Sequence, residues 1–104
     1  NKYIKDAINY IMLNYINDIS SADIAEYLNI NAAYFSTMFR KFMNCTVTEY
    51  ITNLRLRRAE TMLSLGGYSV SEVCYACGFN SVSNFFRVFK LKYGIAPSEL
   101  KRKR

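Results

Sequence analysis

Apolar residues recur along this chain at helical spacing, and no stretch shows the two-residue alternation of a strand. Residues 2–17 place Ile4, Ala7, Ile8, Ile11, Met12 and Tyr15 on one face of an amphipathic helix. Ser20 and Ser21 then cap a short helix to about Leu28, with Asp23 and Glu26 near its positive end. Asn29, a residue tolerant of left-handed backbone, marks a turn. Asn31 caps a third helix to about Met43, whose Phe35, Met38, Phe39 and Phe42 share the face expected to enter the core. Residues 46–65 read as a longer fourth helix with Tyr50, Ile51, Leu54, Ala59, Met62 and Leu63 apolar, and Gly66-Gly67 ends it.

The most sharply patterned stretch is 69–99. It opens with a Ser69-x-x-Glu72 capping box, in which each side chain satisfies an orphan donor at a helix start. Val73, Cys74 and Cys77 form one buried stripe, and Gly78 stands where a left-handed cap is wanted. Phe79 packs after the turn. Ser81 caps a second helix with Phe85, Val88 and Phe89 inward; Gly94 stops it, and Pro97 suits the first turn of a seventh helix. A short helix, a glycine turn and a second helix with one apolar face is a DNA-reading shape.

The same text appears earlier in weaker form. Ile24-Ala25 superposes on Val73-Cys74, Leu28-Asn29-Ile30 on Cys77-Gly78-Phe79, and Phe35 on Phe85; Asn44 then falls on Gly94, Val47 on Pro97 and Tyr50 on Leu100. The offset is 49 before the turn and 50 after it. Two units are too few for a solenoid, so the repeat predicts an all-α fold of about seven helices: two helix-turn-helix subdomains, 1–45 and 66–104, joined by a long linker helix over 46–65. At about 1.5 Å per residue that linker spans roughly 30 Å, close to the approximately 34 Å between successive major grooves on one face of B-DNA.

Charge sharpens this. The 104 residues carry a net +6, and the excess is uneven: residues 1–39 hold two lysines against four acids, residues 40–104 twelve basic residues against four. An anionic partner is expected for the part that follows the first recognition helix. Apolar residues make up 51%, enough for a core, and no apolar run reaches the roughly 20 residues that span a bilayer. Three cysteines, two on one buried stripe, suit a reducing cytoplasm better than a disulfide scaffold. The chain opens at Asn1 without an initiator Met and runs out in a basic tail, so the rest of the protein is expected upstream.

On a helical wheel the exposed face of the first recognition helix carries Ala33, Ser36, Thr37 and Arg40. The second carries Ser83, Phe86, Arg87 and Lys90, with Asn84 at the flank. Arg87 suits a bidentate contact to guanine, and Asn84 suits adenine if it reaches the groove. Ser36, Thr37 and Ser83 can bond several bases, and Ala33 offers a surface to a thymine methyl. Phe86 can meet a thymine methyl or fold back onto the core edge. Arg40, Lys41 and Lys90 come late in their helices, where phosphates are the expected target, and the helix starts at Ser21 and Ser69 can offer backbone N–H groups to phosphates. The first module is thus expected to contribute position more than base choice.

Other readings of the same residues are weaker. Cys74-x-x-Cys77 lacks the βαβ setting of a redox motif, and with no His in the chain zinc would want a fourth ligand, so core packing is expected. Gly66-Gly67 lacks the flanking pattern of a phosphate loop. Arg55 is expected to tie the lobes through Glu60 or Glu49, Arg57 and Arg58 are left open, and the tail over 101–104 is expected to add non-specific affinity. No nucleophile motif or acid pair suggests an enzyme, and no cofactor or metal is called for. A helical protein-interaction module without DNA specificity is the alternative function.

Cys77-Gly78-Phe79-Asn80-Ser81, Asn84-Phe85-Phe86-Arg87-Val88-Phe89-Lys90 and Gly94-Ile95-Ala96-Pro97-Ser98 resemble the signature of AraC/XylS-type transcription regulators. Asp23-Ile24-Ala25, Tyr34-Phe35-Ser36, Phe39-Arg40-Lys41 and the Tyr50-Ile51…Leu54-Arg55…Ala59…Leu63 helix resemble the family's first module and linker. The resemblance implies a bilobed all-α domain that inserts two recognition helices into adjacent major grooves of double-stranded DNA. It also implies a sensor or receiver domain upstream, action through RNA polymerase, and base contacts from Ala33, Ser36, Thr37, Ser83, Asn84 and Arg87. Asn29 and Asn44 depart from family glycines, Val47 from a frequent proline and Leu100 from a frequent aromatic.

Overall fold

The computed structural model describes residues 1–102, which form seven α-helices and no strand. They are α1 (Lys2–Asn14), α2 (Ser21–Leu28), α3 (Ala32–Met43), α4 (Val47–Leu65), α5 (Val70–Ala76), α6 (Val82–Tyr93) and α7 (Pro97–Arg102). The chain divides into two compact units, residues 1–53 and residues from 54 onward, with the division inside α4.

In the first unit, α1 starts at an Asn1 cap whose Oδ1 accepts from the N–H of Tyr3 and Ile4. It stops at Asn14, short of the expected residue 17, where the Asn14 side chain turns back to donate to the Tyr10 carbonyl. Ile4, Ala7 and Ile11 are buried, whereas Met12, expected on the same face, is 51% exposed. It sits about 100° round the helix from Ile11, past the edge of the stripe that α2 and α3 cover. Ser20, not Ser21, caps α2: its N–H donates to Asp23 Oδ2 at 2.9 Å while its Oγ accepts from the Asp23 N–H. Asn29 closes α2 at φ 58° with the Ile30 N–H donating to the Ala25 carbonyl, and Asn31 caps α3 by accepting from the Tyr34 N–H. Phe35, Met38 and Phe39 fill the core, but Phe42 is 57% exposed. Those three already occupy the inward face, so the fourth expected member, a turn later, has nothing to pack into.

Helix α4 opens on a further capping box between Thr46 and Glu49. Its buried positions are Val47, Ile51, Leu56, Ala59 and Leu63, of which Val47 and Leu56 lie outside the stripe read from the sequence. The five-residue step from Ile51 to Leu56 turns the apolar face by about 140°, so no single stripe runs the length of the helix. Leu56, Ala59 and Leu63 belong to the core of the second unit.

That core is completed by Val73, Cys74, Cys77, Phe79, Phe85 and Phe89. The Phe85 ring sits 4.9 Å from Phe79 and 5.6 Å from Phe89. Ser69 and Glu72 form the predicted box, Gly78 takes φ 101°, and the Phe79 N–H donates to the Cys74 carbonyl at 3.1 Å. Ser81 caps α6, Gly94 ends it at φ 78°, and Pro97 is the first residue of α7. The boundaries reproduce the repeat: α3 and α6 begin and end 50 residues apart, and the caps Ser20 and Ser69 are 49 apart.

The backbone N–H of Ser69 holds the Glu72 carboxyl below the usual carboxylate range, and Thr46 does the same to Glu49. A depressed folded pKa contributes stability that is present above the unfolded value and lost as pH falls through the carboxylate range, below about 4. Thermal melts of Glu72→Gln should therefore lie below the wild type near neutral pH and converge on it toward pH ~3. A gap independent of pH would show that the Glu72 charge is not what the box uses.

Candidate nucleic-acid interface

Each unit turns one face of its second helix outward. On α3 that face carries Ala33, Ser36, Thr37 and Arg40, with Lys41 beside them, all exposed. On α6 Ser83, Asn84, Arg87 and Lys90 are exposed, and Arg87 Nη2 donates to Asn84 Oδ1 at 2.8 Å. The two side chains expected to read bases are therefore one hydrogen-bonded group. Their spacing of three on a helix is the signal that could have predicted the pairing. Phe86 is half-buried and packs against the second core, edge-on to Phe85 at 6.3 Å. The core-edge position is thus the one it adopts.

At the two helix starts the serines have partners within the protein. Ser21 is the first residue of α2, and its Oγ lies 2.9 Å from Ser36 Oγ on α3. Ser69 is the cap of α5: its N–H is given to Glu72 Oε1 at 2.7 Å and its Oγ accepts from the Glu72 N–H. Its backbone donor is therefore already used. A cleft of about 310 Å³ lies along α3 in the first unit, lined by Ser21, Ser36, Thr37, Arg40, Thr46, Val47 and Thr48. Sequence reasoning misses Thr46 and Thr48, because nothing local to them tells that the start of α4 returns beside α3.

Cys74 and Cys77 are packing groups of the second core. Burial pushes the Cys77 thiol up to about 11, and Cys77 Sγ points to Met62 Sδ at 3.7 Å. A thiol with so little thiolate is a poor nucleophile and a poor metal ligand. Among the described residues no group of His, Cys, Asp and Glu is placed to hold a metal ion, and no helix is long and apolar enough to cross a membrane. Burial, then the nearby Glu60, raise the Tyr93 pKa against the opposing charge of Arg57.

A helix-turn-helix domain family matches residues 24–103. The melibiose operon regulatory protein of Escherichia coli is 28% identical over 100 residues, covering 96% of this chain. The chain spans about a third of that relative's length (33%). The C-terminal domain of AraT, a response regulator from Geobacillus stearothermophilus, superposes with a TM-score of 0.93 at 23% identity, over 100% of this chain and 87% of that one. The DNA-binding domain of AdpA, solved in complex with a target DNA, superposes with a TM-score of 0.89 at 19% identity, over 96% and 90%. The family match over residues 24–103, on a fold of two helix-turn-helix units, shows that the chain belongs to the AraC-type family of helix-turn-helix DNA-binding domains.

Proposed function

We propose that this chain is the sequence-reading part of a transcription regulator, laying α3 and α6 in adjacent major grooves of one duplex face. The observation that carries the reading is the Asn84–Arg87 pair on the exposed face of α6. A guanidinium held by a neighbouring amide is preorganised for the O6 and N7 acceptors of guanine. Ser83 and Asn84 complete the base-reading set of this helix, and Lys90 meets a phosphate beside it. On α3, Ala33, Ser36 and Thr37 enter the groove with little capacity to choose a base, while Arg40 and Lys41 hold the backbone. The repeat, with α3 and α6 matched in length and caps, supports two-groove binding.

In this reading residues 1–45 and 66–104 are the two reading subdomains and 46–65 the linker. The chain works in the cytoplasm beneath an upstream sensor or receiver domain and acts through RNA polymerase. The operon regulator and response regulator among its relatives support that setting.

Selection from a randomised duplex library, with the selected pool retested from low to moderate salt, tests the proposal. Two conserved blocks about one helical turn apart, with affinity falling steeply in salt, are expected. Lys90→Ala should weaken selected and scrambled duplexes alike. No enrichment and no salt dependence would replace DNA reading with a protein-interaction role.

A further inference from the structure

The two units repeat in backbone but reverse in charge on the face built by the two helices that precede each recognition helix. A shift of 52 lays the buried Ile4, Ala7 and Ile11 of α1 on the buried Leu56, Ala59 and Leu63 of α4, while α2 falls on α5 at the 49 of their caps. In the first unit this face holds two clefts of about 420 and 590 Å³ that share Tyr27. Tyr27 is 63% exposed, and its ring lies 4.5 Å from that of Tyr10. Asp18 and Glu26 line one cleft, and Asp6 lines the other beside Leu28. Asp23 is already engaged by the Ser20 N–H, and among the described residues Lys2 is the one cation on either lining. At the places of Asp6 and Leu28 the second unit has Arg58 and Cys77, and the Arg58 charge is felt by the Cys77 thiol, so the two are neighbours there as well. At the place of Glu26 stands Tyr75, 58% exposed. Lys5 and Arg57 correspond without reversal, but Lys5 lines neither cleft. The difference extends to the whole units: four basic residues against five acids in 1–53, ten against three from 54 onward.

Carboxylates around an exposed tyrosine pair suit a guanidinium, which takes a carboxylate in its plane and an aromatic ring on its face. They repel DNA. Among the described residues the exposed arginines of the second unit are Arg57, Arg58 and Arg87, and Arg87 belongs to the recognition helix. We infer that a second copy of this chain docks on the acid–tyrosine face of α1 and α2, inserting its Arg58 from the corresponding face of α4 and α5. The contact joins unlike faces, so each copy keeps one of each free and the pairing can be repeated along a duplex. It is small, of the transient class, and takes hold when neighbouring DNA sites hold two copies close together. The inference rests on the DNA-binding reading for where the contact acts, while the contact itself uses neither α3 nor α6.

The test compares binding of the whole chain to duplexes carrying one selected site or two in tandem, with the spacing scanned over a helical turn. At the permissive spacing the second copy should bind about five- to tenfold more tightly than the first, as one exposed ion pair and one cation–π contact provide. Arg58→Asp and Asp6→Arg should each bring that ratio to one, and the ratio divides out any change in one-site affinity. The double variant Asp6→Arg/Arg58→Asp should recover most of it. Glu26 is exposed, so Glu26→Lys should lose the ratio with the fold intact, and thermal melts check the other variants. Without DNA, sedimentation at millimolar chain should show a weak self-association that high salt and Arg58→Asp both abolish. A ratio of one for the wild type at every spacing, a double variant no better than the singles, or a chain that stays monomeric at that concentration overturns the inference. Wild-type chain that self-associates in this way yet binds no duplex overturns the DNA reading instead.

Discussion

Phe85→Ala is expected to destabilise the protein by about 3–5 kcal/mol, the range for a large side chain removed from a well-packed core. Phe85 is fully buried, and its ring faces Phe79, Phe86 and Phe89 at 4.9, 6.3 and 5.6 Å. Its loss empties the centre of the second core and leaves three aromatic neighbours without the partner that fixes their geometry. A domain of this size holds roughly 5–15 kcal/mol in all, so the variant should be marginal or partly unfolded at 37 °C. A melt followed by circular dichroism should show a midpoint lowered by on the order of 20 °C. Phe85→Leu keeps most of the volume and should cost less than about 1.5 kcal/mol. A Phe85→Ala melt within a few degrees of the wild type would mean that the core does not depend on this ring.

Arg87→Ala carries the second large effect, on binding instead of folding. It should lose about 1–3 kcal/mol on the selected duplex and relax the preference at one base pair. Arg87 is exposed and its one described hydrogen bond to a side chain is to Asn84, so its removal should leave the melt unchanged. Arg87→Lys separates charge from shape: lysine keeps the cation but not the planar fork. It should leave the base preference unrestored even where part of the affinity for the selected duplex returns. Equal losses of Arg87→Ala on selected and scrambled duplexes would move Arg87 from base reading to the phosphates.

Much of this was legible in the chain. Glycines at 66, 78 and 94 and the box at Ser69 act locally, through φ and through a side chain three residues away, so the order of elements follows from them. The asparagines do the same work less cheaply: Asn29 and Asn44 adopt φ 58° and 62°, where the second unit has glycine. What escaped was decided by neighbours distant in sequence. Met12 and Phe42 lie on apolar stripes but find nothing to cover them, and Leu56 looks like an interruption until α4 is seen to change its buried face partway along. Phe86 sits on the outward side of an ideal wheel, yet a ring that large reaches the core edge. The Ser21–Ser36 contact joins positions 15 apart, with a turn between them, and no periodicity reports it.

The repeat offset grows from 49 to 50 in one place, between the turn and the helix that follows it. There Ile30 leads directly to the Asn31 cap, while Phe79 and the Ser81 cap are separated by Asn80. On either side the bonding is the same: Ile30 and Phe79 close the preceding helices with N–H···O distances of 3.0 and 3.1 Å, and Phe35 and Phe85 open the next ones at 2.9 and 3.0 Å. One residue of slack has been absorbed without disturbing the ladder before it or after it. If the units arose by duplication, this junction is where the copies were free to drift in length, and it is the natural place to graft an insertion or a label into either one.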